Sequence, residues 1–390
     1  MDEGKGQAVV DHAANDAVRA SLVRAITDRG EIGVQVAAYL KGELVIDCWA
    51  GVADPRDGRL VDGDTLFNVF SVSKAIPSTA IHVQAEKGLL DYDRPIATYW
   101  PEFGQNGKGH ITVRDALNHV TGMPQMPPGT SVETICDWDF ITAGLARMAP
   151  ILPHGQPAYQ SMSFGWILGE IVRRTDPAHR DFATFVREEI SAPFDIPDLW
   201  LGIDPAVEPR IARLVDDKSG SPAPEGSLFA RSLPNDVRLI PDIFDRPAVR
   251  RACIAAVGGI FTARSEARFW AILANGGELD GKRLLSKDRV DAACLPRADN
   301  SVPDPVYFNA PMTLSQGGYW MHNATTPFTA PAKGARTICV PGAGGSLGWA
   351  DPDTGLAVAF CHNRMSRPRT AGEHPLMDIA DTIRSALGLA

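Results

Sequence analysis

A serine and a lysine that could act together in nucleophilic chemistry stand three positions apart in Ser71-Val72-Ser73-Lys74. This is the only Ser-x-x-Lys sequence in the 390-residue chain. A serine hydroxyl is a weak nucleophile at neutral pH unless a base lies within hydrogen-bond reach. Residues three apart on a helix share a face, and a lysine becomes such a base when burial lowers its pKa. The spacing therefore predicts a nucleophile and its base, although a helix cap beside a solvated lysine fits the same four residues.

The sequence after Lys74 supports the first interpretation. A helical pattern of apolar residues includes Ile76, Ala80, Ile81 and Ala85, so Ser71 is predicted to lie at a helix N-terminus. The positive end of the helix dipole favours negative charge that develops on an alkoxide or oxyanion.

A second serine offers an alternative nucleophile. Ser346 lies in Gly344-Gly345-Ser346-Leu347-Gly348, which matches the Gly-x-Ser-x-Gly turn of α/β-hydrolases. That turn leads from a strand into a helix and is followed by an acid and then a histidine. Only 44 residues follow Ser346, and they predict a strand, a turn and another strand. We therefore interpret this segment as glycine-rich backbone that approaches a ligand closely.

Both ends of the chain predict strands that could form one sheet. A helical pattern over residues 11–29 precedes the first strands, and another over residues 376–387 follows the last. The strand patterns lie at residues 32–40, 44–49, 337–340, 346–350 and 356–362.

The middle of the chain is mostly helical in pattern and contains two long loops. The loops cover residues 216–245 and 296–336, which are rich in Pro, Gly, Ser and Asn. The second carries aromatic residues that either pin it to the core or form an apolar wall for a substrate, namely Tyr307, Phe308, Tyr319, Trp320 and Phe328. Helical patterns occur at residues 75–87, 113–119, 140–148, 164–174, 182–190 and 265–273.

The composition argues against several classes of protein. Acidic residues outnumber basic ones by 47 to 38, whereas nucleic-acid binding requires clustered Lys and Arg. We find no signal-peptide pattern and no apolar run of the roughly 18 residues that cross a bilayer, so we expect a cytoplasmic protein without a membrane partner. The six cysteines are dispersed without metal-binding spacing, which predicts reduced thiols, no metal and no cofactor.

Several segments, in a consistent order, resemble the serine β-lactamase and penicillin-binding-protein superfamily. Within it, the family VIII carboxylesterases are the most similar. The likeness extends over most of the chain, and an ordered series of landmarks is far more specific than Ser-x-x-Lys alone. The segments are 67–74, 89–96, 117–122, 157–161, 258–264, 273–277 and 341–352.

The resemblance implies a β-lactamase/transpeptidase-like α/β (α+β) fold with an antiparallel sheet flanked by helices. Residues 1–75 and 251–390 would form the α/β domain around this sheet, and residues 76–250 a mostly helical insertion. Ser71 would lie in the groove between them and attack a carbonyl, while Lys74 and Tyr159 share its proton. The backbone N–H groups of Ser71 and Ala343 would form the oxyanion hole.

The same resemblance suggests substrate contacts and a substrate class. Substrate-binding candidates are Ser161, Gly342, Trp349, Tyr319 and Trp320, whereas His119 is expected to be structural. The third family motif commonly begins with Lys, His or Trp, but Val340 occupies that position here. Val340 cannot hold a substrate carboxylate, so a neutral, small-molecule carboxylic ester is favoured over a penicillin-like substrate. The alternatives are an acyltransferase, a D-aminopeptidase or weak β-lactamase, and a non-catalytic scaffold.

Overall fold

The structure, a computed structural model, describes residues 10–216 and 222–389. Fourteen strands are present in this part of the chain. In chain order they are β1 (Gly33–Leu40), β2 (Glu43–Asp54), β3 (Arg59–Leu60), β4 (Phe67–Phe70), β5 (Leu199–Leu201), β6 (Gly259–Phe261), β7 (Glu278–Leu279), β8 (Lys282–Arg283), β9 (Pro303–Asp304), β10 (Ala310–Pro311), β11 (Trp320–Met321), β12 (Ile338–Pro341), β13 (Leu347–Asp351) and β14 (Leu356–His362).

Seven of these strands form one antiparallel sheet that combines both ends of the chain. Its order is β11-β12-β13-β14-β1-β2-β3, so the first strand of the chain lies beside the last. In β1, Val36 is paired with Phe360 of β14 on one side and with Cys48 of β2 on the other. All residues of β1 except Leu40 are buried, as expected for a central strand that is covered on both faces. The predicted antiparallel sheet is confirmed.

Twelve α-helices accompany the strands in the described residues. The first, α1, is capped by the Asp11 carboxylate, which accepts a hydrogen bond from the Ala14 N–H, and it ends at Gly30 in the left-handed conformation. The helices are α1 (His12–Arg29), α2 (Ala75–Glu86), α3 (Val113–Leu117), α4 (Trp138–Arg147), α5 (Ser163–Thr175), α6 (Phe182–Val186), α7 (Leu228–Ser232), α8 (Pro241–Phe244), α9 (Pro247–Arg251), α10 (Ala263–Ala274), α11 (Lys287–Ala293) and α12 (Met377–Ala386).

Helices cover both faces of the large sheet. On one face, α1 packs against β2 and α12, and on the other α10 packs against β1, β13 and β14. The second contact is very close at Gly348 of β13. A Cβ atom there would lie 2.0 Å from Trp270 Nε1 and 2.1 Å from Glu266 Oε1 of α10. Glycine at this position therefore sets the distance between α10 and the sheet.

A second, three-stranded sheet leads to the predicted nucleophile. It has the order β4-β6-β5, and β5 comes from the middle of the chain, where a mostly helical domain was predicted. Strand β4 ends immediately before Ser71. The division into domains at residues 75 and 251 stays a prediction, but β5 shows that the middle segment also supplies a strand beside the site.

The two predicted long loops contain short regular elements. Helices α7 and α8 lie in the first loop, and strands β9, β10 and β11 lie in the second. These elements have two to five residues, which is too short for a hydrophobic period to be recognised. Within residues 10–216 and 222–389, no helix has both the length and the apolar character that crossing a membrane requires.

Candidate active site

Ser71 begins a tight turn between β4 and α2. Residues Ser71–Lys74 form a 3-10 helix, and α2 follows at Ala75. Phe70, the residue before the turn, has a positive φ of 48°, which is strained for a bulky side chain. Its N–H donates to Asn68 Oδ1 over 3.0 Å, and its carbonyl accepts from the Ser73 hydroxyl, which also accepts from the Gly259 N–H over 2.8 Å. These bonds hold the turn that presents Ser71.

Lys74 is buried among uncharged hydrogen-bond partners. Its Nζ lies 3.1 Å from Ser71 Oγ, 2.7 Å from the carbonyl oxygen of Ser161 and 3.1 Å from that of Ala256. The side chain is 1% exposed. Burial lowers the pKa of Lys74 to about 7, and none of these three partners is a carboxylate that would counteract this. A lysine in this position can be a free amine near neutral pH, as a base for Ser71 requires.

Tyr159 lies beside the same pair of residues. The Lys74 ammonium is 5.2 Å from the centre of the tyrosine ring. Burial raises the pKa of the Tyr159 phenol, an effect that a hydrogen bond with Ser71 partly offsets. The phenol therefore keeps its proton at neutral pH and can donate it. The structure thus brings together the three residues that were predicted to be catalytic.

His119 holds the segment that carries Tyr159. Its carbonyl oxygen accepts the Ala158 N–H over 2.9 Å, and its Nδ1 accepts the Gln160 N–H over 3.1 Å. Its ring lies 5.0 Å from the Tyr159 ring and stacks on Phe164 at 4.5 Å. Because Nδ1 is an acceptor, the imidazole is neutral. Burial, assisted by the charge of Lys74, holds the pKa of His119 well below its usual range.

Ser232 is a second support for this segment, and the sequence analysis missed it. Its Oγ lies 2.9 Å from the Tyr159 carbonyl oxygen and 2.8 Å from Ser161 Oγ, and it accepts the Ser161 N–H over 2.8 Å. Ser161, a predicted substrate contact, therefore has its hydroxyl engaged by Ser232. Ser232 lies at the end of α7 in a region without a motif, so the sequence offered no signal for this role.

The turn after β12 packs against the strand that precedes Ser71. A Cβ atom on Gly342 would lie 2.2 Å from the Val69 carbonyl oxygen and 3.2 Å from Val72 Cγ2. Ala343, the next residue, is partly buried. Val340 is buried in β12 and is paired with Gly348. The predicted oxyanion donors thus belong to two segments in contact, while their role in catalysis stays a prediction.

The three aromatic residues proposed as substrate contacts lie in different surroundings. The Trp320 ring is 5.9 Å from the Tyr159 ring, so the structure brings this residue to the site. Tyr319 is completely buried, and its hydroxyl lies 2.8 Å from Thr79 Oγ1. Trp349 is 1% exposed, and it points away from α10 because its neighbour Gly348 faces that helix. Tyr319 and Trp349 therefore lie in the core and leave no surface for a substrate.

Ser346, the alternative nucleophile, is 2% exposed. In the part of the chain that the structure describes, the one hydrogen bond at its hydroxyl comes from the His362 backbone N–H over 3.4 Å. The His362 side chain instead bonds Glu31 through Nδ1 over 2.7 Å. Among the described residues, Ser346 thus has no side-chain base within hydrogen-bond reach, whereas Ser71 has Lys74.

Residues 10–216 and 222–389 contain no cluster of side chains suited to bind a metal ion. No three side chains of His, Cys, Asp or Glu cluster there in a way that could hold a metal ion. All six cysteines are free thiols.

Comparison with known proteins identifies the family. The β-lactamase family model matches residues 18–381. The esterase/β-lactamase LipL of Mycobacterium tuberculosis is 32% identical over 370 residues, covering 92% of this chain and 83% of LipL. A family VIII carboxylesterase structure aligns with a TM-score of 0.85 at 25% identity, over 96% of this chain and 98% of that one.

A penicillin-binding-protein homologue from Caulobacter crescentus aligns similarly. Its TM-score is 0.83 at 29% identity, again over 96% of this chain and 98% of that one. The family match extends over most of the sequence, and these structures share the sheet and helices described above. The chain therefore belongs to the β-lactamase family of hydrolases.

Proposed function

We propose that this protein hydrolyses carboxylic esters through an acyl intermediate on Ser71. The observation that carries the proposal is the contact of 3.1 Å between Lys74 Nζ and Ser71 Oγ, at a lysine whose pKa burial lowers to about 7. The similarity to LipL and to a family VIII carboxylesterase supports esters as the substrate class.

In the acylation step, neutral Lys74 removes the proton of the Ser71 hydroxyl as Oγ attacks the ester carbonyl carbon. The carbonyl oxygen takes up negative charge, which the backbone N–H groups of Ser71 and Ala343 stabilise. Tyr159 donates its proton to the leaving alkoxide and regains one from Lys74. The alcohol departs and Ser71 carries the acyl group.

In the deacylation step, a water molecule takes the place of the alcohol. The Tyr159 and Lys74 pair accepts a proton from this water as its oxygen attacks the acyl carbon. The second tetrahedral intermediate uses the same oxyanion donors and collapses when the bond to Ser71 Oγ breaks. The proton returns to Ser71, the carboxylic acid leaves, and the enzyme regains its starting protonation state.

Neutral esters are favoured over penicillin-like substrates because of Val340. A penicillin carries a carboxylate that needs a polar or charged partner, and Val340 is an apolar side chain buried in β12. Backbone donation from the turn after β12 does not depend on that side chain. Valine in place of the Lys, His or Trp that is common in the family therefore removes an anchor for a charged substrate. It leaves ester chemistry possible.

The test compares Ser71→Ala with Ser346→Ala. We expect Ser71→Ala to lose labelling by a fluorophosphonate probe and to reduce hydrolysis of p-nitrophenyl butyrate by on the order of 10³-fold or more. Ser346→Ala, if folded by circular dichroism, should keep both properties because its hydroxyl has no base. Equal labelling of wild type and Ser71→Ala would rule out Ser71 as the nucleophile.

A further inference from the structure

A series of aromatic rings extends from Tyr159 to the protein surface. The Tyr159 ring lies 6.0 Å from the Tyr307 ring and 5.9 Å from the Trp320 ring. Tyr307 in turn lies 6.0 Å from Phe308, whose ring is 5.1 Å from that of Phe229. Phe308 is 73% exposed, the largest exposed fraction among the large hydrophobic residues of the described chain. We call Phe229 and Phe308 the aromatic rim.

The backbone holds Phe308 in an unfavourable conformation. Phe308 and Asn309 both have a φ of 57°, in the left-handed region that side chains with a Cβ atom avoid. They lie between β9 and β10, where Asp304 Oδ1 accepts the N–H groups of Val306 over 2.8 Å and of Tyr307 over 3.0 Å. Core packing does not explain a strained backbone that exposes an aromatic ring, so a role in binding is the better explanation.

The other half of the rim is connected to the Tyr159 segment. Phe229 lies in α7, whose first turn is capped by Ser227, with 3.1 Å between its Oγ and the Ala230 nitrogen. Ser232 at the end of the same short helix contacts the Tyr159 carbonyl oxygen, as described above. Phe229 is thus held by a helix that contacts Tyr159, and Phe308 follows Tyr307, whose ring neighbours that of Tyr159. They form a surface that continues outward from the proposed proton donor.

We propose that the aromatic rim binds the alcohol part of the ester and selects alcohols that carry a flat apolar group. This inference rests on the proposed function, in which Tyr159 protonates the leaving alkoxide. The alcohol part must then lie on the Tyr159 side of the scissile bond, where the aromatic rings continue. Aromatic rings gain most from contact with other flat apolar groups, through buried area and favourable ring geometry.

The experiment uses two butyrate esters, benzyl butyrate and ethyl butyrate. Both acylate Ser71 with the same butyryl group, so deacylation is identical and kcat/KM reports on the alcohol part alone. For wild type we expect kcat/KM to be about tenfold higher with the benzyl ester. Phe308→Asn should lower kcat/KM for the benzyl ester several-fold more than for the ethyl ester, and so remove most of that preference.

Asparagine is the replacement because it tolerates a positive φ better than phenylalanine does. We therefore expect the Tm of Phe308→Asn to equal or exceed that of wild type, which separates lost selectivity from lost folding. Leu60→Asn is the matched control, since Leu60 is a large apolar residue that is 68% exposed on β3. This control should keep the wild-type ratio of the two esters.

Three outcomes would overturn the proposal. If Phe308→Asn reduces hydrolysis of both esters equally, or of neither, the rim does not select the alcohol, although Ser71-dependent hydrolysis by wild type would leave the proposed function intact. If light scattering gives Phe308→Asn half the molecular mass of wild type, the rim is a contact between two copies of the chain. If wild type hydrolyses neither ester in a Ser71-dependent way, the proposed function fails and the assignment of the rim fails with it.

Discussion

Lys74 shows how the surroundings of one side chain determine both its chemistry and its effect on stability. In the unfolded chain a lysine has a pKa of about 10.4, whereas burial in the folded protein lowers the pKa of Lys74 to about 7. At pH values between these two pKa values, Lys74 carries a proton in the unfolded state but not in the folded state. The free energy of unfolding therefore rises with pH in this range, because the buried amine is accommodated best without its charge.

The first prediction concerns pH and Lys74→Met. For wild type, kcat/KM for p-nitrophenyl butyrate should rise as pH increases through about 7, where the lysine loses its proton. Lys74→Met should reduce kcat/KM by on the order of 10³-fold. Between pH 7 and 9, deprotonation of Lys74 should raise the free energy of unfolding of wild type by about 1.4 kcal/mol per pH unit. Urea unfolding of Lys74→Met should lack this contribution. Equal slopes for the two proteins would contradict a lowered pKa at Lys74.

At the scale of elements, the contact between the turn after β12 and strand β4 positions the reactive groups relative to each other. Gly342 follows β12 directly, and a Cβ atom there would lie 2.2 Å from the Val69 carbonyl oxygen of β4. A backbone atom cannot move aside as a flexible side chain can. Any side chain at position 342 must therefore push the turn that carries Ala343 away from the strand that leads into Ser71.

This geometry predicts the effect of Gly342→Ala. A displacement of about 1 Å between oxyanion donors and nucleophile costs roughly 100-fold in rate, so we expect kcat/KM to fall at least about tenfold. The free energy of unfolding should also fall, by about 1–3 kcal/mol from overpacking. Both are measured by ester hydrolysis and urea unfolding.

Gly372→Ala is the control for this substitution. Apart from its chain neighbours, no described residue would have a heavy atom within 4 Å of a Cβ atom on Gly372, and its φ is not in the left-handed region. Both activity and stability should therefore stay near wild-type values. Wild-type kcat/KM in Gly342→Ala would show that the turn after β12 does not position the oxyanion donors.

At the scale of the whole molecule, the two ends of the chain are joined both by strand pairing in the sheet and by pairs of side chains. Strand β1 lies between β14 and β2, and Glu31, just before β1, bonds His362 at the end of β14 over 2.7 Å. The side chains of this pair are 0% and 1% exposed. A surface pair, Arg29 and Asp378, joins α1 to α12 with 2.7 Å between its charged atoms.

The third prediction compares these two pairs by replacing a carboxylate with an amide. Glu31→Gln should lower the free energy of unfolding by about 2–4 kcal/mol, because the amide loses the charge of the carboxylate and puts its N–H groups at Oε1, a buried atom with no hydrogen-bond partner in the described residues. Asp378→Asn should cost less than about 1 kcal/mol, since Asp378 is 63% exposed and its pair is screened by water. Urea unfolding at pH 7 measures both, and equal losses would contradict the different roles of the two pairs.

Local patterns in the sequence predicted much of this protein. The alternation and apolar runs of the terminal segments predicted the large sheet, and the helical pattern over residues 11–29 predicted α1, whose caps at Asp11 and Gly30 act within one turn. The contact of Ser71 with Lys74 was predictable because the two residues stand three positions apart on one helical turn. The resemblance to related sequences, rather than any local pattern, added Tyr159.

Tertiary structure decided what depends on elements far apart in the chain. Nothing local shows that His119 holds both neighbours of Tyr159, or that Ser232 supports Ser161. Strand β5 forms only because β6 offers it a partner. Tyr319 and Trp349 are core residues because other elements cover them, whereas Phe308, in the same loop as Tyr319, is exposed. Local geometry follows from backbone preferences and short-range bonds, but the burial of a side chain depends on which distant segment packs against it.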